Sequence, residues 1–382
     1  MFLRKYWVRF YSVGHFFEAL SWGLYYAISR IYVKEFLGGT YTDIMFLNAA
    51  EYAPVLTSTL WGMLADRYGR RKFVLLGLIS APSLAFIGFT GIPYVQILAA
   101  IAGLAWTASW PSIIAPVVSE KAESGYRYGT VTLGGSLGWG LGCSMMGFIY
   151  GFGGVKLITL IAALTLTLSY IVFYIAYPKE YDIVRKYDEK SKTSTVNKIP
   201  KNLLIFLLAV GISYFGVSWS FNVLSIKLYI EVGRSEVVYG IIYGGLTSLI
   251  GSMIRPYAGK LGDKIGSLKL YKASLVSYSL LMFLLAISRG IIMAILWLIP
   301  IYPLYDISVV TTVSSFAPKH LKASAIGSLY TVMSISGTLI PIVGPLTDLW
   351  GVQYSVLLAS ALQIAALLAL VLKFNLKGIL KT

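Results

Sequence analysis

The 382-residue chain has one cysteine, Cys143, and two histidines, His15 and His320. One thiol excludes a disulfide framework, and so small a stock of imidazole and thiolate argues against a histidine- or cysteine-built metal centre. Charge is scarce too: Asp, Glu, Lys and Arg make up 13% of the residues, with 16 acids against 32 bases. No His, Asp and Glu group has the spacing of a nucleophile or metal site near the end of a hydrophobic run. That pattern argues against an enzyme, including one acting on membrane lipids, and no cofactor is implied.

What the chain has in quantity is hydrocarbon, at 57% hydrophobic residues and a mean hydropathy of +0.74. A bilayer core takes about 20 helical residues to cross. Twelve apolar stretches of roughly that length follow one another, at 7–32, 41–65, 73–90, 94–118, 128–152, 157–177, 203–229, 237–258, 270–287, 291–316, 323–347 and 354–372. They lack the period-2 alternation of barrel strands and are too long for them. The expectation is an all-α polytopic membrane protein with twelve transmembrane helices. The first stretch is too long for a cleaved signal peptide and is read as a retained helix.

The net charge of +16 could suggest a nucleic-acid partner, but its distribution points to the bilayer. If the N-terminus is cytoplasmic, only six of the 32 Lys and Arg residues fall on the outer side: Arg30, Lys34, Lys156, Lys227, Arg234 and Arg289. Such asymmetry orients helices on insertion and meets anionic inner-leaflet lipid. Both termini are therefore predicted in the cytoplasm of a multi-pass cell-membrane protein.

A shift of 197 residues lays the chain on itself. Gly14, Ser21, Trp22 and Tyr32 fall on Gly211, Ser218, Trp219 and Tyr229; Gly140, Gly147 and Gly154 fall on Gly337, Gly344 and Gly351. In the same register Gly62, Leu64, Asp66, Gly69 and Lys72 meet Gly259, Leu261, Asp263, Gly266 and Lys269. One constant offset over that distance implies a tandem duplication, two parallel six-helix repeats related by an axis along the membrane normal. The predicted organisation is a bundle over 1–177, a polar cytoplasmic linker over 178–201 and a second bundle over 202–382.

The stretch G62-M-L-A-D66-R67-Y-G69-R70-R71, with its degenerate copy after the eighth segment, resembles the loop signature of the major facilitator superfamily of secondary transporters. The resemblance covers essentially the whole chain. It implies a small-molecule substrate moved by alternating access, with segments one, two, four, five, seven, eight, ten and eleven lining a central cavity. It also implies that Gly62, Asp66, Arg67, Gly69, Arg70 and Arg71 form a conformational latch favouring the outward-open state. The second copy, Gly259, Asp263, Lys264 and Gly266, has Ser267 and Leu268 in place of the arginine pair, so a weaker latch is expected there; Arg255 is a candidate for the inner gate, with snorkelling to the interface as the alternative. Gly134, Gly138 and Gly142 in the fifth segment are spaced for close, sliding helix contact where halves rock. The Gly-Pro pair that marks many antiporters of the family is absent.

Ionisable residues inside the apolar stretches are costly in lipid and should face a cavity or a partner. His15, Glu18, Trp22 and Tyr25 share one helical face by their spacing. Asn48 and Glu51, Trp219 and Asn222, and Tyr302 and Asp306 are further pairs. A carboxylic acid exposed alternately to the two sides can carry a proton, which makes Glu18, Glu51 and Asp306 candidates for coupling, with His15 as proton carrier or as a partner of Glu18. The alternative is a carboxylate satisfied structurally between helices. Trp22, Tyr25, Asn48, Trp106, Trp110, Trp219, Asn222 and Tyr302 are candidates for substrate contact, with core packing as the alternative for the tryptophans. The fourth segment has no Arg or Lys, and an acidic, aromatic cavity fits a neutral or cationic, partly apolar solute. The leading expectation is a proton-coupled exporter acting as a monomer. A proton-coupled or facilitative importer of sugars is the nearest alternative, and a non-transporting receptor or scaffold on the same fold is the alternative of another class.

Overall fold

The computed structural model describes residues 2–118, 124–182, 200–317 and 322–379. Most of the predicted linker, 183–199, lies outside the described residues, as does His320. Among the described residues the secondary structure is helical, with no strand.

In the first repeat, α1 spans Phe2–Ile31 and runs on as a π-helical turn, Tyr32–Phe36. Helix α2 covers 41–68 in three windings: Tyr41–Tyr52, a 3-10 stretch Ala53–Thr57, and Ser58–Tyr68. The change of winding follows Pro54, which has no N–H to give to an α-helical ladder. Helix α3 covers 70–87, with a 3-10 stretch Leu75–Ile79 in its middle, and α4 spans Tyr94–Val118. Helices α5 and α6 form the continuous run Ser124–Ala176, bent at Gly153 and Gly154.

In the second repeat, α7 spans Lys201–Glu231. Helix α8 covers 236–265, with a π-helical stretch Ile241–Leu246. Helix α9 spans Ser267–Ile287. Helix α10 consists of Gly290–Trp297 and Tyr302–Phe316, parted where Pro300 and Pro303 interrupt the ladder. Helix α11 starts with Lys322–Thr338, passes the 3-10 stretch Ile340–Val343 and bends at Gly351 into α12, within Gly344–Ile379. The twelve segments follow the twelve apolar stretches of the sequence. Two runs of 48 and 49 residues, Gly129–Ala176 and Ala325–Lys373, each hold two crossings joined at a glycine.

The duplication extends to the backbone. Gly69 at φ 100° and Gly266 at φ 91°, 197 residues apart, end α2 and α8 and start α3 and α9. Each donates its N–H four residues back, to Ala65 O and Gly262 O, at 2.9 Å in both cases. Gly154 at φ 62° and Gly351 at φ 78° make the bends of α5/α6 and α11/α12. Side chains rarely tolerate these angles, which accounts for glycine at all four positions.

Two contact units emerge. The first comprises 1–39, 50–193 and 234–249; the second comprises 40–49, 194–233 and 250–382. In the first, α5 lies directly on α1. A Cβ at Gly134, Gly138 or Gly142 would overlap the carbonyls of Ser12, Phe16 and Leu20 respectively. This stripe, expected from sequence at a sliding contact between halves, instead fastens two helices of one repeat, because each glycine opens a slot for the next turn of α1. Ser21 and Ser169 add hydrogen bonds between α1 and α6, to Ala162 O at 2.7 Å and from Ser169 to Gly14 O at 2.8 Å.

In the second unit a hydrophobic core joins α7, α9, α10, α11 and α12 through Phe206, Tyr271, Tyr305, Val313, Leu329 and Leu370. Ser213 and Gln363 close it with reciprocal bonds: the Ser213 hydroxyl donates to Gln363 Oε1 at 2.6 Å, and Gln363 Nε2 donates to Ser213 O at 3.0 Å. The Ser213 and Gln363 side chains are thereby paired in a low-dielectric interior, where an unmet polar group is costly, while the Tyr271 and Tyr305 hydroxyls of the same core have no hydrogen-bond partner among the described residues.

Candidate functional site

The face of α1 predicted from sequence is occupied by two separate acid clusters, both in the first unit. In the first cluster, Glu18 is 2% exposed. Its Oε2 lies 2.9 Å from His15 Nδ1, and its Oε1 accepts from Trp106 Nε1 at 2.5 Å. Trp106 stacks on Trp110 at 5.4 Å and 17°, and His15 leans on Trp110 at 5.3 Å. A side chain at Gly135 would collide with the His15 imidazole, so α5 leaves room for it. Among the described residues, Glu18 has no arginine or lysine partner. One turn on, Trp22 packs edge-on against Tyr25 at 5.7 Å and beside Tyr26 at 6.0 Å. Its indole Nε1 is buried without a hydrogen-bond partner among the described residues.

The second cluster surrounds Glu51 on α2. Arg30 grips it with both terminal nitrogens, Nη1 to Oε1 at 2.6 Å and Nη2 to Oε2 at 2.5 Å, while the Tyr25 hydroxyl donates to Oε1 at 2.8 Å. The Arg30 and Glu51 side chains are 2% and 4% exposed, and the guanidinium also lies 4.8 Å from the Tyr26 ring centroid. A fork-on-fork pair of this kind fixes both groups in orientation and leaves neither charge unanswered. Arg30, assigned in the sequence to the outer loop charges, is turned inward. The 197-residue offset carried a signal for it, since it places Arg30 on Lys227, another lone base late in the first helix of a repeat.

The remaining candidates lie in the second unit. Asn222 Nδ2 donates to Asn48 Oδ1 at 2.9 Å, and Asn48 Nδ2 donates to Gly337 O at 2.9 Å, so the two amides are engaged in joining α7, α2 and α11. Trp219 is buried, its Nε1 donating to Thr347 Oγ1 at 2.8 Å. Asp306 pairs with Arg255 through a single 3.5 Å contact, both side chains 46% exposed, and Arg255 rests 5.5 Å from the Tyr302 ring centroid.

At the latch, Asp66 Oδ1 accepts from Arg70 Nε at 2.6 Å across the Gly69 turn. Arg71 donates from its backbone to Asp182 Oδ1 at 3.1 Å and from Nε to Tyr174 O at 3.3 Å, with its guanidinium 4.3 Å from the Tyr174 ring centroid. Arg67 lies over Tyr68 at 5.3 Å. A Cβ at Gly62 would make ordinary contact with Pro111 at 3.8 Å, and one at Gly259 would meet open space, so neither position demands glycine in this arrangement. In the second copy Asp263 and Lys264 have no ion pair among the described residues.

The helical architecture agrees with comparison to known proteins. The family profile described as Major Facilitator Superfamily matches residues 11–341. The chain belongs to the Major Facilitator Superfamily. It is a multi-pass membrane transporter, and alternating access is the mode of transport typical of its fold.

Among its relatives, the multi-drug resistance efflux pump PmrA of Streptococcus pneumoniae is 26% identical over 294 residues, covering 71% of this chain and 70% of that protein. The multidrug resistance protein MdtG of Proteus mirabilis is 27% identical over 239 residues, covering 60% and 57%. Among solved structures, a bacterial homologue of the human lysosomal transporter Spinster superposes with a TM-score of 0.78 at 13% identity, over 97% of this chain and 96% of that one. The nucleoside transporter NupG gives 0.78 at 14% identity, over 98% and 99%. At these identities the structural likeness establishes the fold.

Proposed function

We propose that this transporter exports neutral or cationic amphipathic organic compounds in exchange for protons, with Glu18 as the proton-carrying carboxylate. The observation that carries the reading is the contrast between the two buried acids of the first unit. Glu51 is held by a guanidinium, which keeps its charge answered. Glu18 is held by an imidazole and an indole N–H, groups that can stay with it whether or not it is charged. His15 is the natural relay for its proton. Trp106 and Trp110 beside the carboxylate offer the aromatic faces and negative charge that favour a cation with a flat apolar body. The unanswered Trp22 Nε1 is a donor available to a solute. The efflux pumps among the relatives support export as the direction.

In the same reading the two repeats, 1–177 and 202–382, are the rocking halves, joined by the linker 178–201. The termini are cytoplasmic, which puts the latch turns at Gly69 and Gly266 on the inner side, where the basic excess lies.

The test is ethidium efflux from proteoliposomes under an imposed pH gradient. Glu18→Gln is expected to abolish the dependence on the gradient while ethidium still binds, and a roughly tenfold or greater fall in gradient-driven rate is the expected size. Unchanged gradient-driven efflux by Glu18→Gln would assign coupling elsewhere. Uptake driven by the gradient, with no efflux, would make the protein an importer.

A further inference from the structure

Helix α2 starts in an unusual way. The first N–H groups of a helix have no partner within it and need an acceptor from outside. Thr40 and Asp43 supply a local cap: Thr40 N donates to Asp43 Oδ2 at 2.7 Å, and Asp43 N donates to Thr40 Oγ1 at 3.1 Å. The N–H groups of Tyr41 and Thr42 are answered from another helix. Asp348, near the end of α11, accepts from Tyr41 N at 2.7 Å on Oδ1, and from Thr42 N at 3.1 Å and Thr42 Oγ1 at 2.6 Å on Oδ2. The carboxylate also sits where the positive end of the helix dipole favours a negative charge. One turn earlier in α11, Gly344 lets its backbone meet the Cα of Thr42 directly.

The first repeat has the same close approach without the carboxylate. Gly147, 197 residues before Gly344, packs against the backbone of Glu236 and Val237 at the start of α8. There the local cap is Ser235, whose hydroxyl accepts from Val238 N at 3.3 Å. The residue equivalent to Asp348 is Gly151, which has nothing to offer a helix start. The scaffold contact is thus duplicated, and the anionic hold has been added to one copy of it. The hold is exposed, in contrast to the buried Arg30–Glu51 pair. Exposed charged bonds are weak enough to form and break repeatedly.

We propose that Asp348 is a reversible clasp on the membrane face opposite the termini, and that it releases the start of α2 each time that face opens. It is a positioning residue: it touches no substrate and sets how often the face is open. It stands apart from the Glu18 reading, because nothing in it depends on protons or on the solute.

The test is accessibility, free of any transported solute. In a Cys143→Ser background, Met45→Cys places a reporter on α2 at a position fully buried in the second unit. A membrane-impermeant maleimide is applied from the face opposite the termini. Asp348→Ala is expected to raise the labelling rate about threefold, and Asp348→Glu, which keeps the charge, is expected to return it toward the parent. A control cysteine, Ser80→Cys in α3, is expected to label at an unchanged rate. An unaltered rate at Met45→Cys in Asp348→Ala, or an equal rise at both reporters, would overturn the clasp; the second result would mean that the substitution merely loosens the fold.

Discussion

The two repeats keep the same turns and differ in where they place charge. Gly69 and Gly266 have nearly the same φ and the same backbone hydrogen bond, and each joins two helices with a single residue. Around the first turn lie an aspartate-arginine pair and an arginine tied to Asp182 and Tyr174. Around the second there is no such pair among the described residues, because Ser267 and Leu268 stand in the arginine positions. The same holds near the other face. Arg30 binds a buried glutamate, whereas its counterpart Lys227 donates to the carbonyls of Leu285 and Ala286, at 2.7 and 2.8 Å, closing the C-terminal end of α9. Chain geometry and ionic chemistry are therefore separable layers: glycine preserves the first, and the second has been elaborated mainly in one copy.

The sharpest way to break this comparison is at these two bases, Arg30 buried and Lys227 half-buried. Arg30→Met leaves Glu51 charged and unanswered in the interior, at an expected loss of about 3 to 5 kcal/mol of stability. Adding Glu51→Leu should recover much of it. Lys227→Met removes a favourable cap on a helix end and should cost only about 1 kcal/mol. Thermal unfolding of the purified protein in detergent ranks the variants; equal losses for Arg30→Met and Lys227→Met would mean that the repeats do not differ here.

Next in size come the turns. Gly69→Ala and Gly266→Ala each force a Cβ onto positive φ, at about 1 to 3 kcal/mol of strain. The two losses should agree, measured the same way, since the backbone requirement is common to both copies. A large difference between them would show that the surrounding charges, and not the angle, hold the turn.

The smallest effects belong to the charges at the two turns. Asp66→Asn should cost about 1 kcal/mol or less, the range of a part-exposed ion pair, here one that bridges the Gly69 turn, and Asp263→Asn should cost less. Ser267→Arg puts an arginine four residues after Asp263 and should confer on the second turn the increment that Asp66→Asn removes from the first. A stability gain that disappears at high salt is the signature to look for.

Much of this architecture is legible in the sequence, because hydrophobic length and a constant offset are global signals. The twelve crossings emerge near their predicted bounds, and the positions of Gly69, Gly154, Gly266 and Gly351 follow from the repeat. The changes of winding at Tyr32–Phe36, Ala53–Thr57 and Ile241–Leu246 do not, since helical periodicity looks the same until the ladder is traced. Side-chain partnership is the other blind spot. The spacing of His15, Glu18, Trp22 and Tyr25 gave the face of α1, and Glu51 was found as a buried acid. That Arg30 answers Glu51, that Asn48 and Asn222 answer each other, and that Asp348 reaches the start of α2 all depend on distances between separate helices, which no local pattern records.

Because Gly69 alone stands between Tyr68 and Arg70, the junction has no slack. A loop of several residues would absorb a tilt of one helix by uncoiling; a one-residue elbow passes it on undiminished. Whatever displaces the lower end of α2 therefore drags Arg71 and its grip on Asp182 and Tyr174 with it, and the elbow serves as a mechanical linkage as well as a change of direction.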